Sequence, residues 1–457
     1  MTRSRDVRSP GNRFKMNIKR FNDYEEAVSY ILEIPRFSSK NDMAATKAFL
    51  ELVGEPDIRT VIHVAGTNGK GSTCAFLNSI YMKQKKTTGL FTSPHLCDIR
   101  ERIRINNVLI TKEEFLDCAN HIIDLINSEK VKEDYHPSFF EFIFFMAVRY
   151  FGMKNVDVAI YETGLGGRLD ATNSLMRKSA CIITQIGMDH MEYLGNSIKE
   201  IAYEKAGIMS SGVPVIYWKD KKESYEVIER RAKELDCPLY PVSKENASDT
   251  SFNKKNIDFS YKYGYDKSAM FTVHSYAHYQ VFNALMSLKT IEVLEGKDSI
   301  DTSFVREGLS DMIWPGRMEE IEKNIFVDGG HNEDGIAAFI DSVKDDGCMG
   351  KRRLIYSAVN DKRIESISMM LAGCNAFDSI GICAMKSGRA TKIDELKKIF
   401  ETAVSQTDKN IELKVYEHVK DAYESERKCL KEGDRLYICG SLYLVADILE
   451  YTGNERS

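Results

Sequence analysis

Two series of short apolar runs dominate this chain, most of them leading into residues at helical spacing. The first series is "TVIHVAG", "VDVAIYETG", "SACIITQIG" and "GVPVIYW"; the second is "IFVDGG", "RLIYSAV", "SIGICAM", "IELKVYE" and "RLYICGS". Strands alternating with helices restrict a chain to α/β folds with mainly parallel sheets. At 457 residues the chain exceeds one ordinary core, so two or three domains are expected. Pro315 and Gly316, in "MIWPGRMEEI", mark a turn, and the boundary is placed there: 1–315, then 316–457 as a doubly wound unit. Between the series, Asn246 to Ser275 is polar, aromatic and β-leaning, the pattern of a small antiparallel excursion. "HYQVFNALMSLKTIEVL" returns to helix.

Composition narrows the class. Hydrophobic residues are 43% and charged residues 29%, as in soluble globular chains. A net charge of -5 gives no reason to expect a nucleic-acid partner. Ten cysteines without a C-x-x-C pair suggest neither a zinc site nor a disulfide framework, but reduced thiols in the cytoplasm. "FFEFIFFMAVRYF" is too short to span a membrane and carries Glu141 and Arg149; it reads as a buried helix. "MTRSRDVRSPGNRFK" is basic with no apolar segment behind it, so residues 1–16 are expected to be a flexible tail rather than a secretory signal. Met16 is a second candidate start. A cytoplasmic monomer with no membrane attachment is the expectation.

The chemistry concentrates at strand ends. "TVIHVAGTNGKGSTCAFLNSIY", Thr60 to Tyr81, is a strand, a glycine turn and a helix whose apolar face is Phe76, Leu77, Ile80 and Tyr81. Its spacing is not that of G-x-x-x-x-G-K-[ST]: Gly66 precedes Lys70 by four residues, and Gly71 separates Lys70 from Ser72 and Thr73. The turn still presents free backbone N–H groups at the positive end of a helix dipole. Gly66, Gly69 and Gly71 let phosphate oxygens approach closely, Lys70 can neutralise them, and Ser72 or Thr73 can bond them. An ordinary strand-to-helix turn is the plainer alternative. Glu162 ends an apolar strand in "ETGLGGRLDATN", where ligands of open α/β sheets bind; it is a candidate Mg²⁺ ligand or merely a cap. Asp189 and His190 follow another strand, though a lone histidine is more often structural. Ser93 follows a third. Arg100, Arg102 and Arg104 alternate after it, as an anion site or as the solvated face of a strand. Asp328 and His331 in "VDGGHN", and Gly440 and Ser441 in "YICGS", occupy the corresponding edge of the second unit.

Taken in order, "HVAGTNGKGST", "TSPHL" with "RERIRIN", "ETGLGGRLDATN", "DHMEYLG", "EKAGI", "PGRMEEI" and "DGGHN" resemble the Mur ligase superfamily, and within it the folylpolyglutamate synthases and bifunctional dihydrofolate synthases. The resemblance runs from about Thr60 to the C terminus. It implies a P-loop-type ATP-binding domain with a mainly parallel sheet, followed by a C-terminal Rossmann-like α/β domain. It implies that Gly66, Thr67, Asn68, Gly69, Lys70, Gly71, Ser72 and Thr73 hold the triphosphate and that Asn283 and Arg317 contact ATP. Ser93, Glu162 and His190 would be the Mg²⁺ ligands, directly or through water. Lys205 would be carried as a carbamate, although the residues alone suggest an ion pair with Glu204. Asp328 and His331 would face the incoming amine or the acyl intermediate. Two departures stand out: "HYQVFN" has Tyr279 between His278 and Gln280, and Gly330 replaces a common alanine.

The reaction so implied is ligation of L-glutamate to the carboxylate of a folate or a dihydropteroate. Oxide is a poor leaving group, so the carboxylate first takes the γ-phosphoryl group of ATP. Lys70 and Mg²⁺ offset the charge. The amine then displaces phosphate, with Asp328 or His331 as the candidate base. A small-molecule kinase, a non-enzymatic nucleotide switch and a Mur enzyme acting on a cell-wall precursor are the alternatives; glutamate-dependent phosphate release separates the first two.

Overall fold

The computed structural model describes residues 18–35, 42–132, 135–253, 255–263, 267–360 and 363–453; the tail expected at 1–16, with Met16, lies outside them. Eight strands make the first sheet: β1 (Thr60–Ala65), β2 (Thr88–Phe91), β3 (Ile103–Ile105), β4 (Val108–Leu109), β5 (Val158–Glu162), β6 (Ala180–Ile183), β7 (Val215–Trp218) and β8 (Leu239–Val242). Their order is β4-β3-β2-β5-β1-β6-β7-β8. All neighbours from β2 to β8 are parallel, and β3 and β4 add an antiparallel edge. The chain leaves β1 towards β2 on one side and β6 towards β7 on the other. The C-terminal ends of β1, β5 and β6 therefore open the crevice that such a reversal creates.

Helices cover both faces of this sheet, which is why its strands read as unbroken apolar runs. On one face lie Tyr24–Glu33, Met43–Val53, Lys112–Asn127 and Phe139–Met153. On the other lie Lys70–Lys83 and Gln280–Glu295, with a small antiparallel sheet of β9 (Ala247–Asn253), β10 (Asn256–Lys262) and β11 (Ser268–His274). The helix Lys70–Lys83 is not one-sided as its spacing suggests. It is buried continuously from Ser72 to Tyr81, because Gln280–Glu295 and Ser303–Ser310 also pack on it. The charge inside the apolar run at 139–151 has a local cause: Ser138 N–H donates to Glu141 at 2.8 Å in a capping box, and Thr46 Oγ1 donates to the same carboxylate at 2.7 Å.

The second series forms its own sheet: β12 (Glu319–Glu322), β13 (Ile325–Val327), β14 (Arg352–Tyr356), β15 (Ser379–Cys383), β16 (Glu412–Tyr416) and β17 (Arg435–Cys439), in the order β12-β13-β17-β14-β15-β16. The five strands expected from the sequence are parallel, and each leads into a helix. The antiparallel β12 was not legible, because "EEIE" is half-buried on both faces and carries no alternation. The Arg100–Arg104 alternation also fails. Ile99–Arg102 is a 3₁₀ turn closed by an Asp98–Glu101 capping box, and only Ile103–Ile105 is strand.

A polar cluster is built into the second sheet. Glu426, fully buried, accepts from Arg353 Nη1 at 3.0 Å and Tyr416 Oη at 2.8 Å, with Lys414 Nζ at 3.1 Å. Glu426→Ala strands the Arg353 charge and should lower the unfolding free energy by about 3–5 kcal/mol. Urea denaturation checks this; a loss below about 1 kcal/mol would place the cluster with ordinary surface pairs.

Candidate active site

Both sheets turn the C-terminal ends of their strands towards one cavity of about 810 Å³. On the first side, the loop after β1 is held in shape by backbone and side chain together. Thr67 N–H donates to Gln185 O at 2.8 Å, and Thr184 Oγ1 donates to Asn68 O at 2.7 Å. Gly69, at φ +86°, caps the helix Lys70–Lys83. A Cβ on Gly69 would lie 2.2 Å from Asn283 Oδ1, and one on Gly66 would lie 1.8 Å from Thr184 Oγ1. The glycines are thus required by close approach, with Gly69 needing the left-handed backbone as well. Residues 66–72 line the cavity; Thr73 does not, and its buried hydroxyl has no hydrogen-bond partner among the described residues. The hydroxyl available to a phosphate is Ser72's, which accepts from Gln280 Nε2 at 3.3 Å. Lys70 Nζ donates to Thr67 O at 3.2 Å and stands 4.0 Å from Glu162 Oε1.

Glu162, at the end of β5, is buried and accepts from Ser93 N–H at 3.0 Å. Burial raises its pKa against the pull of Lys70. His190 lines the same cavity in a left-handed backbone conformation, with its side chain about half exposed. Among the described residues no three His, Cys, Asp or Glu side chains cluster as a ready-made cage. Mg²⁺ bound with a nucleotide needs only one or two protein oxygens beside phosphates and waters. Glu162 and Ser93 offer hard oxygens at adjacent positions. Lys205 is buried, and its Nζ donates to Gly66 O at 2.7 Å. Burial first, then the charge of Lys70, lower its pKa to about 7. The ion pair with Glu204 does not form. Glu204 turns to Arg168 at 2.8 Å, since adjacent residues on a helix do not face each other. Asp170 pins the glycine loop by accepting from Gly164 and Leu165 N–H, both at 2.9 Å.

Of the three arginines, only Arg102 lines the cavity, with its Nε donating to His95 Nδ1 at 2.8 Å. Arg100 is taken by Asp98 and Arg104 lies over the Trp314 ring, so neither serves an anion there. Across the cavity, Asp328 follows β13. Its carboxylate accepts from Gly330 N–H at 2.7 Å, Met318 N–H at 2.9 Å and Tyr279 Oη at 2.6 Å. Burial raises its pKa against Arg317. Arg317 lies across Gly329, where a Cβ would meet its Nη1 at 2.2 Å. His331 places Nδ1 2.9 Å from Gly329 O and Nε2 3.6 Å from Asp189 Oδ2. Burial opposes protonation of this imidazole, but Asp189 outweighs it and raises the pKa.

Asp189 gathers contacts from both sides that sequence reasoning did not assign. Besides His331 it meets Asn332 Nδ2 at 3.3 Å and Arg363 Nη2 at 3.5 Å, while Arg363 also bonds Met188 O. Asn68 and Asn332 exchange amide hydrogen bonds at 3.0 and 3.1 Å, and Lys221 pairs with Asp334 at 2.8 Å. The two sheets are therefore latched around the cavity by charge and amide contacts.

Residues 142–291 match the Mur ligase middle domain and residues 316–442 the Mur ligase glutamate ligase domain. The chain is 30% identical over 444 residues to a dihydrofolate synthase/folylpolyglutamate synthase of Bacillus subtilis, covering 94% of this chain and 99% of that one. A folylpolyglutamate synthase structure from Thermotoga maritima superposes with a TM-score of 0.78 at 28% identity, over 95% of this chain and 98% of that one. The fold is shared with a Mycobacterium tuberculosis folylpolyglutamate synthase complexed with ADP and AMPPCP, with a TM-score of 0.83 at 22% identity over 95% and 99% of the two chains. The chain belongs to the folylpolyglutamate synthase/dihydrofolate synthase family of the Mur ligase superfamily, and is an ATP-dependent acid–amino-acid ligase.

Proposed function

We propose that this enzyme joins L-glutamate to the carboxylate of both a dihydropteroate and a folate, through an acyl phosphate formed in the inter-sheet cavity. The observation that carries the reading is the opposition, across one cavity, of the Lys70 loop and the Asp328–His331 turn. The ATP phosphates lie along residues 66–72. Trp218, Phe282 and Met286 give the cavity an apolar wall suited to a base. Glu162, Ser93 and His190 would hold Mg²⁺, directly or through water, and the ion would supply positive charge to the triphosphate. The division of labour follows the boundary at 315: residues 1–315 hold most of ATP, with Asn283 at its phosphates and Arg317 reaching it from across the boundary, and 316–457 present the amino acid. The enzyme works as a cytoplasmic monomer; all ten cysteines are free, as a reducing compartment keeps them.

In the first step a substrate carboxylate oxygen attacks the γ-phosphorus and ADP leaves, with Lys70 near the transferred group. In the second the glutamate nitrogen, freed of a first proton, attacks the acyl carbon, and its second proton leaves with the departing phosphate. Glutamate arrives as an ammonium. Asp328, an acid made more basic by burial, receives that group and takes the proton. His331, whose imidazolium form Asp189 favours against burial, faces a glutamate carboxylate. Closure of the two halves over the cavity would exclude water, which otherwise hydrolyses the acyl phosphate.

Phosphate release with each pterin acid, with and without L-glutamate, tests the reading; turnover indifferent to glutamate, with no ligated product, would sink it. Asp328→Asn should lower kcat/KM for glutamate by about 10²–10⁴-fold, the range of a lost general base, while nucleotide affinity holds. An equal loss of ATP affinity would contradict the assignment.

A further inference from the structure

Helix Gln280–Glu295 begins between the two halves of the site, and three residues at its start touch both. Asn283 Oδ1 sits over Gly69. Gln280 donates to Ser72 Oγ at 3.3 Å and accepts from Asn283 Nδ2 at 2.9 Å. Tyr279 turns the other way and donates its hydroxyl to Asp328 Oδ2 at 2.6 Å. His278 takes no part: its ring stacks on Phe252 at 3.7 Å between centroids, and its N–H donates to Ser342 Oγ at 3.0 Å. The residue that interrupts the sequence pattern is thus the one that reaches the site.

The other donors to Asp328, the Gly330 and Met318 N–H groups, belong to the same half as Asp328. The Tyr279 contact alone among these three comes from the stretch that packs on the second sheet's core through Ala277 and Tyr279 and grips the phosphate loop through Gln280 and Asn283. It fixes the far oxygen of the carboxylate relative to the loop that Gln280 and Asn283 grip, within a single helical turn. A phenol held by a rigid helix is suited to this: it reaches far, donates one bond and has few torsions to order.

We propose that Tyr279 is a positioning residue that sets the Asp328 carboxylate in register with the phosphate loop, so that the amine is delivered to the acyl phosphate formed there. This rests on the reading of Asp328 as the amine's partner. It has three consequences. Loss of the hydroxyl should be felt through glutamate rather than ATP. The effect should vanish when Asp328 is already disabled. The acid limb of the pH–rate profile should move up, because Tyr279 Oη donates to the carboxylate and favours its ionised form.

Tyr279→Phe keeps the ring and removes only the hydroxyl. It should lower kcat/KM for glutamate by about 10–100-fold, the value of a hydrogen bond to a charged group, with KM for ATP unchanged and the acid limb shifted to higher pH. In an Asp328→Asn background the same change should cost less than about twofold, because interacting residues are not additive. Glutamate kinetics within about twofold of wild type, or an equal additional loss in the Asp328→Asn background, would overturn the proposal. So would a parallel rise in the KM values of both substrates. A wild-type enzyme silent to glutamate overturns the function reading instead, and shows before any variant is made.

Discussion

Lys70→Ala removes glutamate-dependent ATP turnover by about 10³-fold or more, the scale on which cationic groups act in phosphoryl transfer, while the protein still folds. The side chain springs from the first residue of the helix Lys70–Lys83, and its ammonium meets the Thr67 carbonyl at 3.2 Å and Glu162 at 4.0 Å. Neither contact closes a core, so truncation leaves the packing behind the loop untouched. What is lost is a cation carried by the loop itself, on the cavity where charge must be offset as phosphorus moves between oxygens. Lys70→Arg should restore little, because a planar guanidinium does not reproduce a compact ammonium in a loop of this size. Phosphate release gives the rate and circular dichroism the fold. A variant within about fivefold of wild type would make the loop structural, since single cationic contacts at a transition state exceed that.

The loop was legible because its signal is local: a strand, glycines, a lysine and a helix start fall within a dozen residues. The strand-end acids were legible for the same reason, since Glu162 closes β5 and Asp328 follows β13, each with glycines within two residues. What could not be read depends on partners distant in the chain. Tyr279 finds Asp328, and Asp189 finds Arg363 and Asn332, only because two sheets face each other, and no periodicity records that. Ser72 and Thr73 are neighbours in sequence, yet a 100° turn of the helix sends one to the cavity and the other into the core. Arg100, Arg102 and Arg104 misled because alternation implies a strand only when the backbone is extended. Here Asp98 accepts from Arg100 N–H at 2.8 Å and starts a 3₁₀ turn instead.

Lys205 carries the second large effect. Its amine is buried, meets the Gly66 carbonyl and pairs with no acid among the described residues, and has its pKa lowered to about 7. A buried ammonium beside Lys70 and a magnesium–phosphate centre would repel the cations the reaction needs. A neutral amine can instead add to CO₂: nitrogen bonds to carbon, one carbon–oxygen π pair moves to oxygen, and a proton leaves to water, giving an anionic carbamate. That group offers hard oxygens and attracts both Lys70 and Mg²⁺. Only the neutral amine reacts, and its fraction grows as pH rises through about 7. At fixed dissolved CO₂, activation should therefore be stronger above pH 7 than below. Lys205→Ala should lower kcat by about 10²–10³-fold, as for other fixed electrostatic groups at a reacting centre, with part of the loss restored by a short-chain carboxylate in the buffer. Enzyme equilibrated with ¹³C-labelled CO₂ should show a carbamate resonance that the variant lacks. Full activity in rigorously CO₂-free buffer, with no such resonance, would leave Lys205 an unmodified amine and return its role to holding the Gly66 turn.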